Sequence, residues 1–369
     1  MNDERLHCGA ACDRLDRPPA DSSYVDLPPS FGRRFAVSVD TEEEFDWSKP
    51  PTRDRHGTNS VESLPNAHRR LVSAGVKPAY LIDYPIASDP RSVAILRGFA
   101  DGGECTIGTQ LHPWVNPPFD EELSRANSFT GNLPIELERS KLLWLTEEIE
   151  RGFGRRPTIY RAGRYGVGAN TARLLVEAGY EADVSARPLF DYSREGGPDF
   201  SAVEPRPYWA AGGALLEVPL TAAYLGLFRG FGRGLYRVAA RLPRATGLLA
   251  RTGLLSRVAL TPEGMPLEDT LKAIDWLLED GLRLFSISFH SPSVEPGHTP
   301  YVRDQADLAR FYGWWDGVLD HFAGRGVAPA SYEEIIAAAH AARAAEPRDP
   351  SATRPPSLSR QTVGPVAQR

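Results

Sequence analysis

The sequence predicts an α/β fold whose parallel strands close into a barrel. Two observations lead there. Short β-type runs alternate with helical periods along the chain, and three separate strands each carry one largely apolar face and one small, polar face. Strand followed by helix, repeated, implies parallel strands joined by right-handed crossovers. Two-sided strands suit a filled barrel, where one face points to the interior and the other to the helices.

The first strand covers Arg34 to Asp40, and the helical period Ser60 to Ala74 behind it stops at Gly75. Lys77 to Asp83 is the second strand, followed by a helix over Ser92 to Ala100 that ends before Gly102 and Gly103. Cys105 to His112 is the third, with Leu133 to Arg151 as its helix and Gly152 as the stop. Thr158 to Arg161, Ala182 to Ala186 and Leu215 to Leu220 follow as shorter strands. The helix Leu267 to Glu279 precedes the seventh strand, Leu284 to His290, and a last helical period over Gln305 to Phe322 stops at Gly324.

Alternation within the strands locates a mouth. Phe35, Val37 and Val39 oppose Ala36, Ser38 and Asp40, and Glu42 continues the polar face. Cys105, Ile107, Thr109 and Leu111 oppose Thr106, Gly108, Gln110 and His112; Phe285, Ile287 and Phe289 oppose Ser286, Ser288 and His290. Each polar face ends in an ionisable residue, which gathers Asp40, Glu42, His112 and His290 at the C-terminal edge, where barrel enzymes keep their chemistry. One histidine at a strand end is commonly just a hydrogen-bonded surface residue. Coincidence over three strands is a stronger signal.

Composition narrows the classes. The 369 residues carry 42 Lys and Arg against 48 Asp and Glu, a net charge of -6 without a long basic run, so nucleic acid is not the expected partner. Three cysteines, Cys8, Cys12 and Cys105, are not a disulfide framework. Residues 1–30 hold no apolar stretch of an export signal, and no run approaches the roughly 20 apolar residues that span a bilayer, so a cytoplasmic location without a transmembrane segment is expected. Residues 1–32 and 346–369, rich in Pro, Asp, Ser and Arg, are expected to be a disordered leader and tail around a single domain at 33–345. Within it 222–260 reads as an insertion. Its segment Tyr224 to Arg257 mixes several Arg with apolar residues and has no acid, which suits packing on the barrel, guarding the mouth, or peripheral contact with an anionic membrane.

Two carboxylates two residues apart on one strand face, joined by imidazoles from other strands, are the parts that hold a divalent metal and move protons. Zinc accepts such N and O ligands and makes water nucleophilic near neutral pH. Of eight histidines, His112 and His290 alone end predicted strands, while His298 follows the seventh strand within reach of the same mouth. Trp47, Trp114 and Tyr165 follow strand ends and offer flat faces that suit a sugar ring. Arg164 and Tyr165 sit in AGRYGVG, which lacks the spacing of a phosphate loop.

Several segments together resemble the polysaccharide deacetylases with a NodB-homology domain, in their WalW-type branch. They are SVDTEEEFDW (Ser38 to Trp47), YLIDYPIASDP (Tyr80 to Pro90), TIGTQLHPWVNPPFDEE (Thr106 to Glu122), YRAGRYGVG (Tyr160 to Gly168), GYEADVSARPLFDY (Gly179 to Tyr192), ALTPEGMP (Ala259 to Pro266) and FSISFHSPSVEPGHTPYV (Phe285 to Val302). The resemblance implies a distorted (β/α)7-type barrel and a metal-dependent hydrolase that removes N-acetyl or similar acyl groups from a carbohydrate. Asp40 would be the base, Arg161 its orienting partner and His290 the acid. Glu42 and His112, with Asp40, would hold the metal. Gln110, Trp47, Trp114, Arg164, Tyr165 and His298 make up the expected carbohydrate-contacting set. The expected location favours a soluble or lipid-linked substrate.

Two motifs depart from the family pattern. Thr41 follows Asp40 where a second Asp is usual, and Gln110 and Trp114 stand where the family has two His, with His112 between. Two further readings therefore accompany the hydrolase: an inactive carbohydrate-binding relative without the metal, and a metal-independent glycosidase using Asp40 with Glu42 or Glu44. Glycosidase carboxylates stand about 5 to 9.5 Å apart across the scissile bond, which two groups on one wall meet poorly.

Overall fold

The computed structural model describes residues 14–242 and 244–345. Its strands are β1 (Arg34–Thr41), β2 (Ala79–Ile82), β3 (Thr106–Leu111), β4 (Ile159–Ala162), β5 (Ala182–Asp183), β6 (Tyr208–Ala210), β7 (Leu215–Glu217), β8 (Ala222–Leu225), β9 (Ser256–Ala259), β10 (Leu284–His290) and β11 (Ala328–Pro329). Helices intervene as α1 (Leu64–Ser73), α2 (Tyr84–Ser88), α3 (Pro90–Asp101), α4 (Ile135–Phe153), α5 (Thr171–Glu177), α6 (Gly232–Ala239), α7 (Ala245–Arg251), α8 (Leu267–Glu279), α9 (Gln305–Gly324) and α10 (Tyr332–Ala345). The main sheet runs β10-β1-β2-β3-β4-β5-β7-β6, parallel except for β6, with β11 beside β1. It is a curled α/β sheet, and all seven expected strands lie in it.

The open side is narrowed by the chain leaving β7. Thr221 N donates to Ser286 O at 2.9 Å, and Ser286 N donates to Thr221 Oγ1 at 2.8 Å. This brings the residues after β7 against β10 without a regular ladder. The sheet therefore curls nearly shut around its interior, the distortion that an ideal barrel would lack.

Both faces of the strands are buried, and they differ as the alternation requires. Phe35, Val37, Val39, Phe285, Ile287 and Phe289 face the helix layer, where Phe35 stacks on Phe322 at 4.6 Å and Phe289 meets Phe311 and Trp315 edge-on. Burying each such ring contributes about 1.5–3 kcal/mol. The inner face is built from small residues and a few aliphatics: Ala36, Ala79, Leu81, Ile159, Ala182, Leu216 and Leu284 meet Tyr332, Ile335, Ile336 and Ala339 of α10. That helix closes the N-terminal end of the interior. Polar groups of the inner face are left for the opposite end.

Residues 14–32 correct the expected loose leader. Leu15, Val25 and Leu27 are buried, Val25 N donates to Pro207 O, and Arg283 donates to the carbonyls of Leu27 and Pro28 at 2.7 Å each. Isolated apolar side chains among prolines carry no periodic signal, yet all three pack into the core, Leu15 with the helix-facing cluster and Val25 and Leu27 with the inner-face one. Residues 1–13 and the expected tail 346–369 lie outside the described residues. Among the described residues no helix is long and apolar enough to cross a membrane.

Candidate active site

β1 and β10 run side by side in a register that pairs Asp40 with His290, so the two polar ends meet by backbone geometry alone. β3 and β4 pair Gln110 with Arg161. Asp40, Glu42, Gln110, His112, Arg161 and His290 all line one cavity of about 680 Å³ at the C-terminal end of the sheet. The residues that end polar strand faces, Asp40, Glu42, His112 and His290, are all there with Gln110 and Arg161, and all six but His290 are at most 3% exposed.

Asp40 and His290 are each gripped from behind. Arg161, itself buried, donates Nη1 to Asp40 Oδ1, Nη2 to Ser38 Oγ at 2.9 Å and Nε to Val184 O at 3.0 Å. On the neighbouring strand, His290 Nδ1 lies 2.7 Å from Glu263 Oε2, and Glu263 Oε1 accepts from His290 N and from Ser293 Oγ. The remaining imidazole nitrogen, Nε2, faces Asp40 Oδ2 at 3.7 Å. Burial opposes the imidazolium, but Glu263, with Glu42 and Asp40, pushes the His290 pKa up to about 10. Burial likewise opposes the Glu263 carboxylate, and the His290 imidazolium with its hydrogen bonds holds that group below the ordinary value. A charged imidazole therefore points into the cavity at neutral pH.

Glu42 and His112 form the adjoining wall. Glu42 Oε2 lies 3.5 Å from His112 Nε2 and accepts from Gln110 Nε2 at 3.0 Å. Burial raises the Glu42 pKa to about 8 against the pull of His290 and His112. Burial lowers that of His112, despite Glu42 and Asp83. Glu42 Oε1 and Gln110 Oε1 are buried with no hydrogen-bond partner. An unpaired buried oxygen is costly, so two of them beside a neutral imidazole leave room for a cation.

Behind His112 stands a group the sequence reading did not single out. Glu43, Asp83 and His112 place ligand atoms within 4.8 Å of one another and together are able to hold a metal ion. Their hydrogen bonds are made within the protein: Glu43 Oε2 meets His112 Nδ1 at 2.8 Å and Oε1 accepts from Trp114 Nε1 at 2.7 Å. Asp83 caps α2 through Ile86 N at 2.9 Å and accepts from Glu43 N at 2.7 Å. Burial raises the pKa of Glu43, and burial with Glu43 alongside holds Asp83 well above the usual range. A carboxylate on the far nitrogen fixes which nitrogen an imidazole presents, here Nε2 toward the cavity.

The carbohydrate-contacting candidates divide. Trp47, Gln110, Trp114, Arg164 and Tyr165 line the main cavity, whereas His298 lines a second one with Glu44 and His56, its Nδ1 3.4 Å from Glu44 Oε2. Tyr301 of the loop after β10 lines the main cavity, but His298 of the same loop faces the second one, which corrects the placement of His298. Trp114 is buried, and its ring stacks on His112 at 4.3 Å, so that face is committed to the imidazole rather than to a ligand. Trp47 lies edge-on to His290 at 4.9 Å and to Tyr301 at 5.9 Å. Arg164 and Tyr165 adopt φ of 54° and 61°, an unfavourable region for such residues, and Arg164 is held by Ser128 Oγ and by Glu195 at 2.5 Å. Tyr301, Tyr192 and Arg187 complete the rim. Of the residues missed, Asp83 ends an expected strand as His112 does, but on a face with Ala79 and Leu81 rather than polar residues, whereas Glu263 lies in a loop without period.

No family model and no curated protein matches the chain. Among solved structures it is similar to a Mycobacterium smegmatis protein described as a polysaccharide deacetylase, at 19% identity over 94% of this chain and 99% of that one, with a TM-score of 0.49. It is similar also to a Pseudomonas aeruginosa PAO1 protein of the same description, at 15% identity over 85% and 93% of the two chains, with a TM-score of 0.49. A third is a 4-alpha-glucanotransferase from Thermococcus litoralis, at 12% identity over 83% of this chain and 40% of that one, with a TM-score of 0.47.

Proposed function

We propose that the chain is a metal-dependent hydrolase of the WalW type that removes an N-acetyl or similar acyl group from a carbohydrate. The observation that carries this reading is the acid–base pair side by side at the mouth. Asp40, oriented by Arg161, faces the His290 imidazolium, oriented by Glu263, across 3.7 Å. An acid and a base held side by side at one cavity, each oriented by its own buried partner, suit addition of water to a carbonyl and departure of an amine.

Glu42 and His112 would hold the ion, zinc being the expected one, on the cavity side of the imidazole, where Glu42 Oε1 and Gln110 Oε1 lack partners. Glu43 and Asp83 serve in this reading to position His112, because their oxygens already accept protein hydrogen bonds. The ion would polarise the acyl oxygen and make water more acidic. Asp40 takes the proton of the attacking water. His290, protonated at neutral pH, gives its Nε2 proton to the departing nitrogen, so acetate and a free amino sugar leave. The ring of Trp47, beside His290, and the rim tyrosines Tyr165 and Tyr301 are placed to meet the sugar.

The test is acetate release from a panel of N-acetylated sugars by the full chain supplied with zinc. Wild type should release acetate, and Asp40→Asn and His290→Gln should each lower kcat by roughly 10² to 10⁴. New reducing ends in place of acetate would mean glycosidase chemistry. Glycan binding without metal uptake or acetate release would mean a binding module.

A further inference from the structure

We infer that the β8–β9 hairpin is a docking surface for an anionic lipid bilayer. Its two strands pair from Ala222↔Ala259 to Leu225↔Ser256, and the chain between them forms α6 and α7. From Tyr224 to Arg257 it carries seven Arg and no Asp or Glu, a charge of +7. The whole chain carries -6, so the remainder, -6 less the +7 of this segment, amounts to -13. Positive charge is concentrated on one projection of an otherwise strongly acidic molecule.

Within this projection, charge and apolar surface are exposed together. Arg229, Arg233, Arg237, Arg241, Arg244 and Arg251 are all exposed, and among the described residues none of them pairs with a carboxylate. Leu227 (78%), Phe231 (77%), Leu248 (64%), Leu242 (60%), Val238 (59%) and Phe228 (38%) are exposed between them. Six of the ten exposed large hydrophobics among the described residues therefore fall in one short segment. Arg257 and Arg229 also anchor the base of the hairpin, stacking on Phe190 at 3.5 Å and on Trp276 at 4.2 Å.

The occupant must match both properties. A phosphate backbone would satisfy the guanidinium groups but leave phenyl and isobutyl side chains in water. An anionic bilayer satisfies both, with arginines among the headgroups and apolar side chains at the acyl boundary. Position adds a consequence. The chain enters the hairpin through Leu220 and Thr221 and leaves through Leu260 and Thr261, all of which line the main cavity. Docking would hold the mouth at the bilayer and favour a carbohydrate carried on a lipid. That last consequence rests on the hydrolase reading; the docking itself does not.

The experiment is co-sedimentation of the full chain with phosphatidylcholine vesicles prepared with and without phosphatidylglycerol, across a salt series. Wild type should sediment with the anionic vesicles only, and less as salt rises. Each arginine removed should weaken binding about fivefold, so Arg233→Gln, Arg237→Gln and Arg241→Gln combined should weaken it roughly a hundredfold. Phe231→Ser with Leu248→Ser should weaken it at least about tenfold while the salt dependence persists. Both variants should melt like wild type, since the side chains are exposed. Failure of wild type to sediment with anionic vesicles would overturn the inference. So would unchanged binding by both variants, tighter binding to duplex DNA than to vesicles, or a concentration-dependent dimer that the serine variant abolishes. None of these readouts depends on acetate release, so failure of docking and failure of catalysis are told apart.

Discussion

Replacing Glu263 with Gln removes the charge that holds His290 protonated while keeping the shape of the side chain. His290 titrates at about 10 because Glu263 is the largest influence raising it against burial. Without that carboxylate, burial is opposed only by Glu42 and Asp40, and the midpoint should fall by about two pH units or more. The sign of the stability effect follows. A raised imidazole pKa contributes stability fully present below the unfolded value near 6.5 and lost as pH rises through about 10. The lowered Glu263 pKa contributes stability present above its unfolded value and lost as pH falls through the lowered one. The variant should therefore be less stable by about 3 kcal/mol near pH 6, the loss typical of breaking a buried pair. The difference should close above pH 10. Proton NMR of the His290 ring in chelator-treated protein, with thermal melts across pH, measures both. A midpoint still near 10, or a melting difference that persists undiminished above it, would refute the assignment of Glu263.

Three other changes probe the surrounding wall. Arg161→Met strands Asp40, Ser38 Oγ and the carbonyl of Val184 in the interior, and should cost about 3–5 kcal/mol by chemical denaturation; an unaltered midpoint would mean that Asp40 is reached by water. Glu42 titrates at about 8, so its stabilising contribution is present at low pH and lost as pH rises through that value. Metal-free wild type should then lose melting temperature between pH 5 and 9 more steeply than Glu42→Gln, and parallel curves would contradict the burial of this carboxyl. Gly108→Ala would set a Cβ 2.6 Å from Leu81 Cδ2 and 2.8 Å from the carbonyl oxygen of Ile159. Overpacking of that kind costs about 1–3 kcal/mol. A neutral substitution would show that β3 and β4 are more loosely joined than described.

Much of this site was legible because strand alternation has a period of two and survives in the sequence as written. Asp40, His112 and His290 each close a polar face, and parallel pairing then needs no further information to bring those ends together. Asp83 follows the same logic and was overlooked only because its strand has no polar face to draw attention. Glu43 lies beyond the end of β1, where alternation no longer assigns a side. Glu263 was illegible for a different reason: it reaches His290 only because Thr221 brings the end of the β8–β9 hairpin against β10, a long-range arrangement outside any regular ladder. The buried leader residues Leu15, Val25 and Leu27 likewise answer to packing in the core rather than to a local period.

Titration of chelator-treated protein with cobalt(II) or zinc, in wild type and in His112→Ala and Glu42→Gln, bears most directly on the claim that β1 carboxylates and distant imidazoles build one hydrolytic centre. Wild type should take up one ion per chain with a visible cobalt spectrum, and both variants should lose it while remaining folded. Absence of uptake by wild type, or equal uptake by all three, would contradict the account.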